Sequence, residues 1–397
     1  MATVTVTKTS PKRRDRPLDA RAARGRIALR ASIVAAAILA GLGVWFASSN
    51  TSAHELDRAR GLIRQKRAPT EPEVKNLVQS ALRRDVTQPA ALEMRALAYE
   101  QSGDRAAASR LYRLSDRISR RSLATRLWLV QDAVGRGDVR GALANMDVAL
   151  RTSSAAPNFV FPALARGLQD PMLVKPIAEI VDRPSDWREA FLIYATDNAE
   201  PTSAAALFLA LRNARVISRD ELDRKLIVRL VDGGKFTLAR RLDATFEPRA
   251  ARGQLVQDGS FDDIAARYPF GWGLAENGEL GASREIEGGR TVLAYHANPA
   301  EGGQVAAQLL MLRPGSYELH LQAGRSQATQ VPPIWTLACA GQARTIAMVP
   351  LTSGRPARQV VGFSVPQDCP AQWLALTIRP ALVPQSGAIE RVAISVK

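Results

Sequence analysis

Cysteine and histidine are nearly missing from this 397-residue chain, which has two of one and three of the other. Two cysteines exclude a disulfide-dense scaffold. The shortage of both residue types excludes a zinc framework of the usual ligand spacing, and no metal site is expected. Aromatic residues make up only 6%. No GxSxG elbow, HExxH helix or Walker phosphate loop occurs. Residues 231–236 contain Gly-Gly-Lys, but without the loop spacing or the following Ser/Thr. Lysine is scarce too, so nearly all of the 54 basic groups are arginine. The apolar share of 46% is that of a folded protein, and the length predicts two or three domains.

A formal charge of +16 invites a nucleic-acid reading. Its distribution argues against one. Residues 1–30 carry +7, with nine basic groups against Asp15 and Asp19. Residues 252–397 carry +1, which leaves +8 for the middle. Directly after the basic tail, residues 31–53 hold no charge, and 31–47 are densely apolar. About 20 apolar residues span a bilayer as a helix. Trp45 and Phe46 stand near the far end, where aromatics favour the interface. The one-sided basic flank places 1–30 in the cytoplasm and the bulk outside. The expectation is a single-pass anchor in a bacterial inner membrane, with the remainder periplasmic. A cleaved signal peptide ending at Thr51-Ser52-Ala53 is the alternative.

Residues 54–251 read as helices, with apolar positions recurring at three and four. Residues 96–114 and 130–148 are self-similar. Gly103-Asp104 and Gly137-Asp138 lie 34 residues apart, and Ala108 and Ala142 each follow the glycine by five. Gly234-Lys235 with Ala239 is a third echo. Glycine permits the inter-helix turn, and alanine permits close helix approach. Pro89 suits a first helical turn. This grammar resembles the tetratricopeptide repeat. Prolines 157, 162, 171, 176, 184 and 201 punctuate the helices that follow, such as 172–181 and 187–196. Trp128, Trp187, Phe159, Phe161 and Phe191 are expected core residues. Arg83, Arg84, Arg110, Arg113, Arg120 and Arg121 form a solvated face or meet an acidic partner, an anionic glycan or lipid headgroups.

From residue 252 the pattern changes to short alternating runs. Strands are expected at 290–297, 304–312, 317–323, 334–340, 345–349, 359–365, 373–378 and 389–396. That spacing predicts a sandwich or jelly roll. Cys339 and Cys369 both fall here and are expected to be bonded, with two buried thiols as the alternative. The phrases at 256–262, 269–272 and 312–319 resemble the strand entries of galactose-binding-like carbohydrate-binding modules. Asp258, Ser260 and Asp262 replace the usual residues of that opening, so no calcium is expected, and no other cofactor. The resemblance implies sugar-stacking aromatics, with Trp272, Tyr295, Trp335 and Trp373 as candidates. Trp335 shares strand parity with Leu337 and Cys339, which favours the core for it. Glu276, Glu279, Glu285 and Glu287 read as a charged glycine-rich loop rather than a hydrolytic pair.

The expectation is therefore a multidomain chain: a single transmembrane helix, an all-α tetratricopeptide-like solenoid, then an all-β jelly-roll sandwich. The combination resembles non-enzymatic, membrane-anchored accessory proteins of exopolysaccharide assembly. Protein partners would meet the solenoid, polysaccharide would meet the sandwich, and nucleic acid is not expected. A glycan-processing enzyme and a protein-only interaction module in secretion or division are the alternatives.

Overall fold

The computed structural model describes residues 54–65, 68–213, 220–245, 254–263, 267–326, 331–352 and 356–397. The expected tail, span and cleavage site lie outside the described residues. Among those described, no helix is long and apolar enough to cross a membrane. A helical region leads into a two-sheet antiparallel β-sandwich. The chain divides into two compact units, residues 1–194 and 195–397. The last helices thus group with the sandwich, and residues 246–253, around the expected boundary, lie outside the described ones.

Among the described residues, nine helices begin in the first unit: α1 His54–Arg64, α2 Pro72–Arg84, α3 Pro89–Gln101, α4 Arg105–Ile118, α5 Leu123–Gly135, α6 Val139–Thr152, α7 Pro157–Gly167, α8 Pro171–Val181 and α9 Arg188–Asn198. The hairpins α3–α4 and α5–α6 repeat after 34 residues, the offset of Gly103 and Gly137. Both glycines are left-handed, at φ +86° and +72°. In each turn the next residue's N–H reaches five back, Asp104 to Tyr99 and Asp138 to Ala133, both at 2.9 Å. That bond satisfies a carbonyl the helix end leaves open. The aspartate then caps the next helix, accepting from Ala107 N–H (2.9 Å) or Gly141 N–H (2.8 Å). Ala108 and Ala142 are buried between the helices.

Pro89, Pro157 and Pro171 open helices, where no N–H is needed. Pro162 and Pro176 do not punctuate as expected. They lie inside α7 and α8, each withdrawing one backbone bond. Trp128, Trp187, Phe161 and Phe191 are buried, and Phe159 is half-buried. The buried indoles keep their N–H groups bonded, Trp128 to Glu100 (3.1 Å) and Trp187 to Asp147 (2.9 Å). The six arginines named above are exposed.

The second unit holds α10 Pro201–Asn213, α11 Asp220–Asp232 and α12 Phe236–Asp243. The turn between the last two repeats the same device. Gly234 stands at φ +69°, and Lys235 N–H reaches Leu230 O at 2.8 Å. Lys235 supplies no side-chain cap.

The sandwich follows, with β1 Gly273–Leu274, β2 Leu280–Glu287, β3 Arg290–Ala297, β4 Gly303–Leu310 and β5 Gly315–Ser326. Then come β6 Ile334–Cys339, β7 Thr345–Pro350, β8 Ala357–Val365, β9 Gln372–Ile378 and β10 Gln385–Val396. One sheet runs β1-β4-β9-β6-β7, the other β2-β3-β10-β5-β8. All eight expected strands are present, and β1 and β2 are additional. Of the acidic stretch, only Glu276 and Glu279 fall in a loop, the one between β1 and β2. Glu285 and Glu287 lie on β2, whose alternation its glycines and charges obscure. Gly288 and Gly289, both at positive φ, close the β2–β3 hairpin in two residues. Tyr317, Leu319 and Leu321 enter the core between the sheets. Cys339 and Cys369 are disulfide-bonded, with Cα atoms 5.4 Å apart.

Candidate functional site

Side chains alternate along a strand, so β9 serves two faces. Leu374, Leu376 and Ile378 join the core, while Trp373, Ala375 and Thr377 take the opposite side. Residues directly opposite across a pair share a face. The register therefore aligns Gly273, Ala307, Ala375, Thr336 and Met348 in one row across all five strands. Four of the five are small, and the row forms a narrow track with Ala307 and Ala375 buried in its floor and Gly273, Thr336 and Met348 reaching the surface. The adjoining row holds Leu309, Trp373 and Ala338.

Tyr268 closes one end of the track. Its ring lies nearly parallel to Trp373, with 5.9 Å between centroids and 19° between planes. It rests on Gly273, where a Cβ would stand only 2.3 Å from Tyr268 Cδ2. Leu309 N–H donates to Pro269 O at 2.7 Å, which pins this segment to β4. Tyr268 remains 38% exposed, and Trp373 is half-buried. Burial raises the Tyr268 phenol pKa, and the Asp232 charge adds to the effect. The next aromatic, Phe270, is buried beneath the Arg240 guanidinium of α12, at 4.9 Å. Two parallel aromatic rings beside a track of small side chains can receive a flat, partly apolar, hydroxyl-rich ligand.

The other three aromatic candidates are corrected by their burial. Trp335 has no exposure, and Trp272 and Tyr295 have 4% each. Trp272 packs edge-on to Trp335 at 5.6 Å and against Phe261 at 5.5 Å, and it donates to Asp258 O. These rings fill the sandwich and offer no face to a sugar. Only Trp373 belongs to the surface. Tyr268 escaped the sequence reading, because its role depends on a glycine beneath it and a tryptophan from a distant strand.

The five strands under this face contain no Asp or Glu, so carboxylate-pair hydrolysis has no groups on them. Glu276 bonds Gly278 N–H, and Glu285 bonds Ser283, both as local turn or strand contacts. On the other sheet, His320 Nε2 lies 2.9 Å from Ser395 Oγ and 3.8 Å from Glu318 Oε2. A nucleophilic relay needs the carboxylate on the opposite ring nitrogen, so this is a surface polar cluster. The Asp258 carboxylate accepts from Asp263 N–H and from Arg284, both at 2.9 Å. Among the described residues, no group of three or more His, Cys, Asp or Glu is placed to hold a metal ion.

No family model and no curated protein matches the chain. Solved structures resemble its sandwich. A family 16 carbohydrate-binding module is 15% identical, covers 36% of this chain and 99% of its own, and has a TM-score of 0.28. The N-terminal cellulose-binding domain of Cellulomonas fimi β-1,4-glucanase C is 16% identical over 36% and 96%, with a TM-score of 0.25. The enzymatically active domain of bacteriophage CBA120 tailspike protein 4 is 10% identical, with a TM-score of 0.28. The match there spans 21% of the tailspike chain and 36% of this one.

Proposed function

We propose that this protein is a non-catalytic, membrane-anchored scaffold whose sandwich binds glycan across the β1-β4-β9-β6-β7 face. One observation carries the reading: the parallel Tyr268–Trp373 pair stands at the end of a small-residue track that crosses the whole sheet. A pyranose ring presents an apolar face to such rings, and its hydroxyls meet strand-borne groups such as Thr336 and Thr377. The uncharged segment 31–53 with its basic flank supplies the anchor and puts the sandwich in the periplasm. The tetratricopeptide-like hairpins supply a surface for protein partners. This combination suits an accessory factor of envelope polysaccharide biosynthesis or export.

The test is glycan-array and affinity-electrophoresis binding of the full chain in detergent, alongside Trp373→Ala and Tyr268→Ala. Retention by a neutral or weakly charged polysaccharide is expected, falling about five- to thirtyfold in either variant, from stacking worth ~1–2 kcal/mol. Retention that survives both substitutions would refute the site. Absence of binding to every glycan would refute the function.

A further inference from the structure

A groove of about 620 Å³ lies where α2, α3 and α4 meet. Each helix gives it one stripe. Gln79 and Arg83 come from α2, with Val86 just beyond its end. Leu92, Arg95 and Tyr99 come from α3, and Ala107, Arg110 and Leu111 from α4. The spacings are three, four and seven, so each set shares a helical face.

The lining is apolar at the floor and cationic at the rim. Leu92 is buried, Tyr99 and Leu111 are half-buried, and Val86 stands 69% exposed. Arg83, Arg95 and Arg110 are exposed, and no carboxylate lines the groove. Arg95 lies over the Tyr99 ring at 5.9 Å. On α4, Arg113 is paired with Asp132. The three rim arginines have no such partner among the described residues.

We infer that this groove docks an acidic peptide segment carrying one aliphatic or aromatic anchor, contributed by another protein. The inference rests on the scaffold half of the proposed function and names its partner's chemistry. Guanidinium groups pair with carboxylates through two parallel hydrogen bonds, and three around one apolar floor define both a charge and an anchor. An anionic polysaccharide satisfies the rim and leaves the leucine floor empty. A bilayer is too flat to enter a concavity between helices.

The experiment is fluorescence anisotropy of the full chain with a panel of labelled 12-residue peptides. Each is rich in Glu and Asp around a central Leu, Phe or Trp. At least one member is expected to bind, more weakly as salt rises. Replacing its anchor by Ala should weaken binding at least fivefold. R83E/R110E should weaken it at least tenfold, and Val86→Asp, on a residue too exposed to disturb packing, at least fivefold. Both variants keep the +7 tail, so tail-driven binding survives them and overturns the inference. Failure of every peptide to bind, or equal binding without an anchor, also overturns it. So does equal displacement by polyglucuronate or by phosphatidylglycerol vesicles. Glycan retention, measured on the same variants, is expected to be unchanged, so loss of the peptide reading leaves the sandwich reading to its own test.

Discussion

The Arg284 guanidinium meets the Asp258 carboxylate at 2.9 Å, on a side chain that has no solvent exposure. Asp258 sits at φ +51°, and its carbonyl accepts from Trp272 Nε1 and Phe261 N–H. The pair therefore fixes the loop that closes the sandwich core. Burial raises the Asp258 pKa, against the hydrogen bonds and the Arg284 charge that lower it. Arg284→Met leaves a buried carboxylate without its cation. An expected loss is about 2–4 kcal/mol, read as a lower urea midpoint at unchanged slope. Because Arg284 already balances the charge, EDTA should leave the melting temperature of the native chain unchanged.

Glu93 makes the corresponding prediction for the helical unit. It is buried, and its Oε1 accepts from Ser115 Oγ and Thr125 Oγ1, both at 2.9 Å. Burial raises its pKa above the ordinary 4.5, opposed by the hydroxyls of Ser122, Thr125 and Ser115 and by the Arg60 charge. The sign follows directly. Between the unfolded and folded pKa values the folded state holds the proton that the unfolded state has lost, so stability falls as pH rises from about 4.5. Glu93→Gln keeps an acceptor and removes the buried charge. It should flatten that slope and cost little near neutral pH. Glu93→Ala strands two hydroxyls beside a cavity, for an expected loss of about 2–4 kcal/mol. Urea unfolding at pH 5 and pH 8, followed by tryptophan fluorescence, separates the two.

Three turns share one backbone device but not one cap. Asp104 and Asp138 cap with their side chains, while Lys235 has nothing to accept a hydrogen bond and brings a positive charge to a helix N-terminus. Its backbone angles, φ −90° and ψ 47°, are close to those of the aspartates. Lys235→Asp should therefore stabilise the second unit by about 0.5–1.5 kcal/mol, and Asp138→Ala should cost the first a similar amount. An equal or lower melting temperature for Lys235→Asp counts against the comparison.

These turns also explain what the sequence made legible. Gly-Asp pairs 34 residues apart announce themselves locally, because a left-handed glycine and a capping aspartate act on their own neighbours. Tyr317, Leu319 and Leu321 are readable for the same reason, since strand alternation is a local signal. The surface site was not readable. Trp272 and Trp373 look alike in sequence. Which one faces inward depends on strand phase and on what the second sheet presses against it. The small-residue row needs the register of five strands drawn from across the domain, and no single segment carries that information.

The disulfide closes a 30-residue separation. On the chain-entropy account, removing it should cost about 3–4 kcal/mol. C339A/C369A, unfolded in urea beside the native chain, is expected to show that loss. A much smaller loss would mean that the 333–378 part of the sandwich stays compact when unfolded.

Gly273 gives the most specific test of the surface site, because it is the track residue that the Tyr268 ring covers. The three atoms nearest its added Cβ all belong to the Tyr268 ring, from Cδ2 back to Cγ, so that ring must move as a whole. The Gly273 backbone has no positive φ to forbid alanine. Gly273→Ala should therefore leave the fold intact and push Tyr268 out of line with Trp373. Glycan retention should then fall about as far as in Tyr268→Ala. In the double variant the ring is already gone, so the alanine has nothing further to displace. G273A/Y268A should bind no more weakly than Tyr268→Ala alone, a coupling that additive, independent effects do not produce. Two losses that simply add would place Gly273 in contact with the sugar itself, and the parallel ring pair would no longer explain the site.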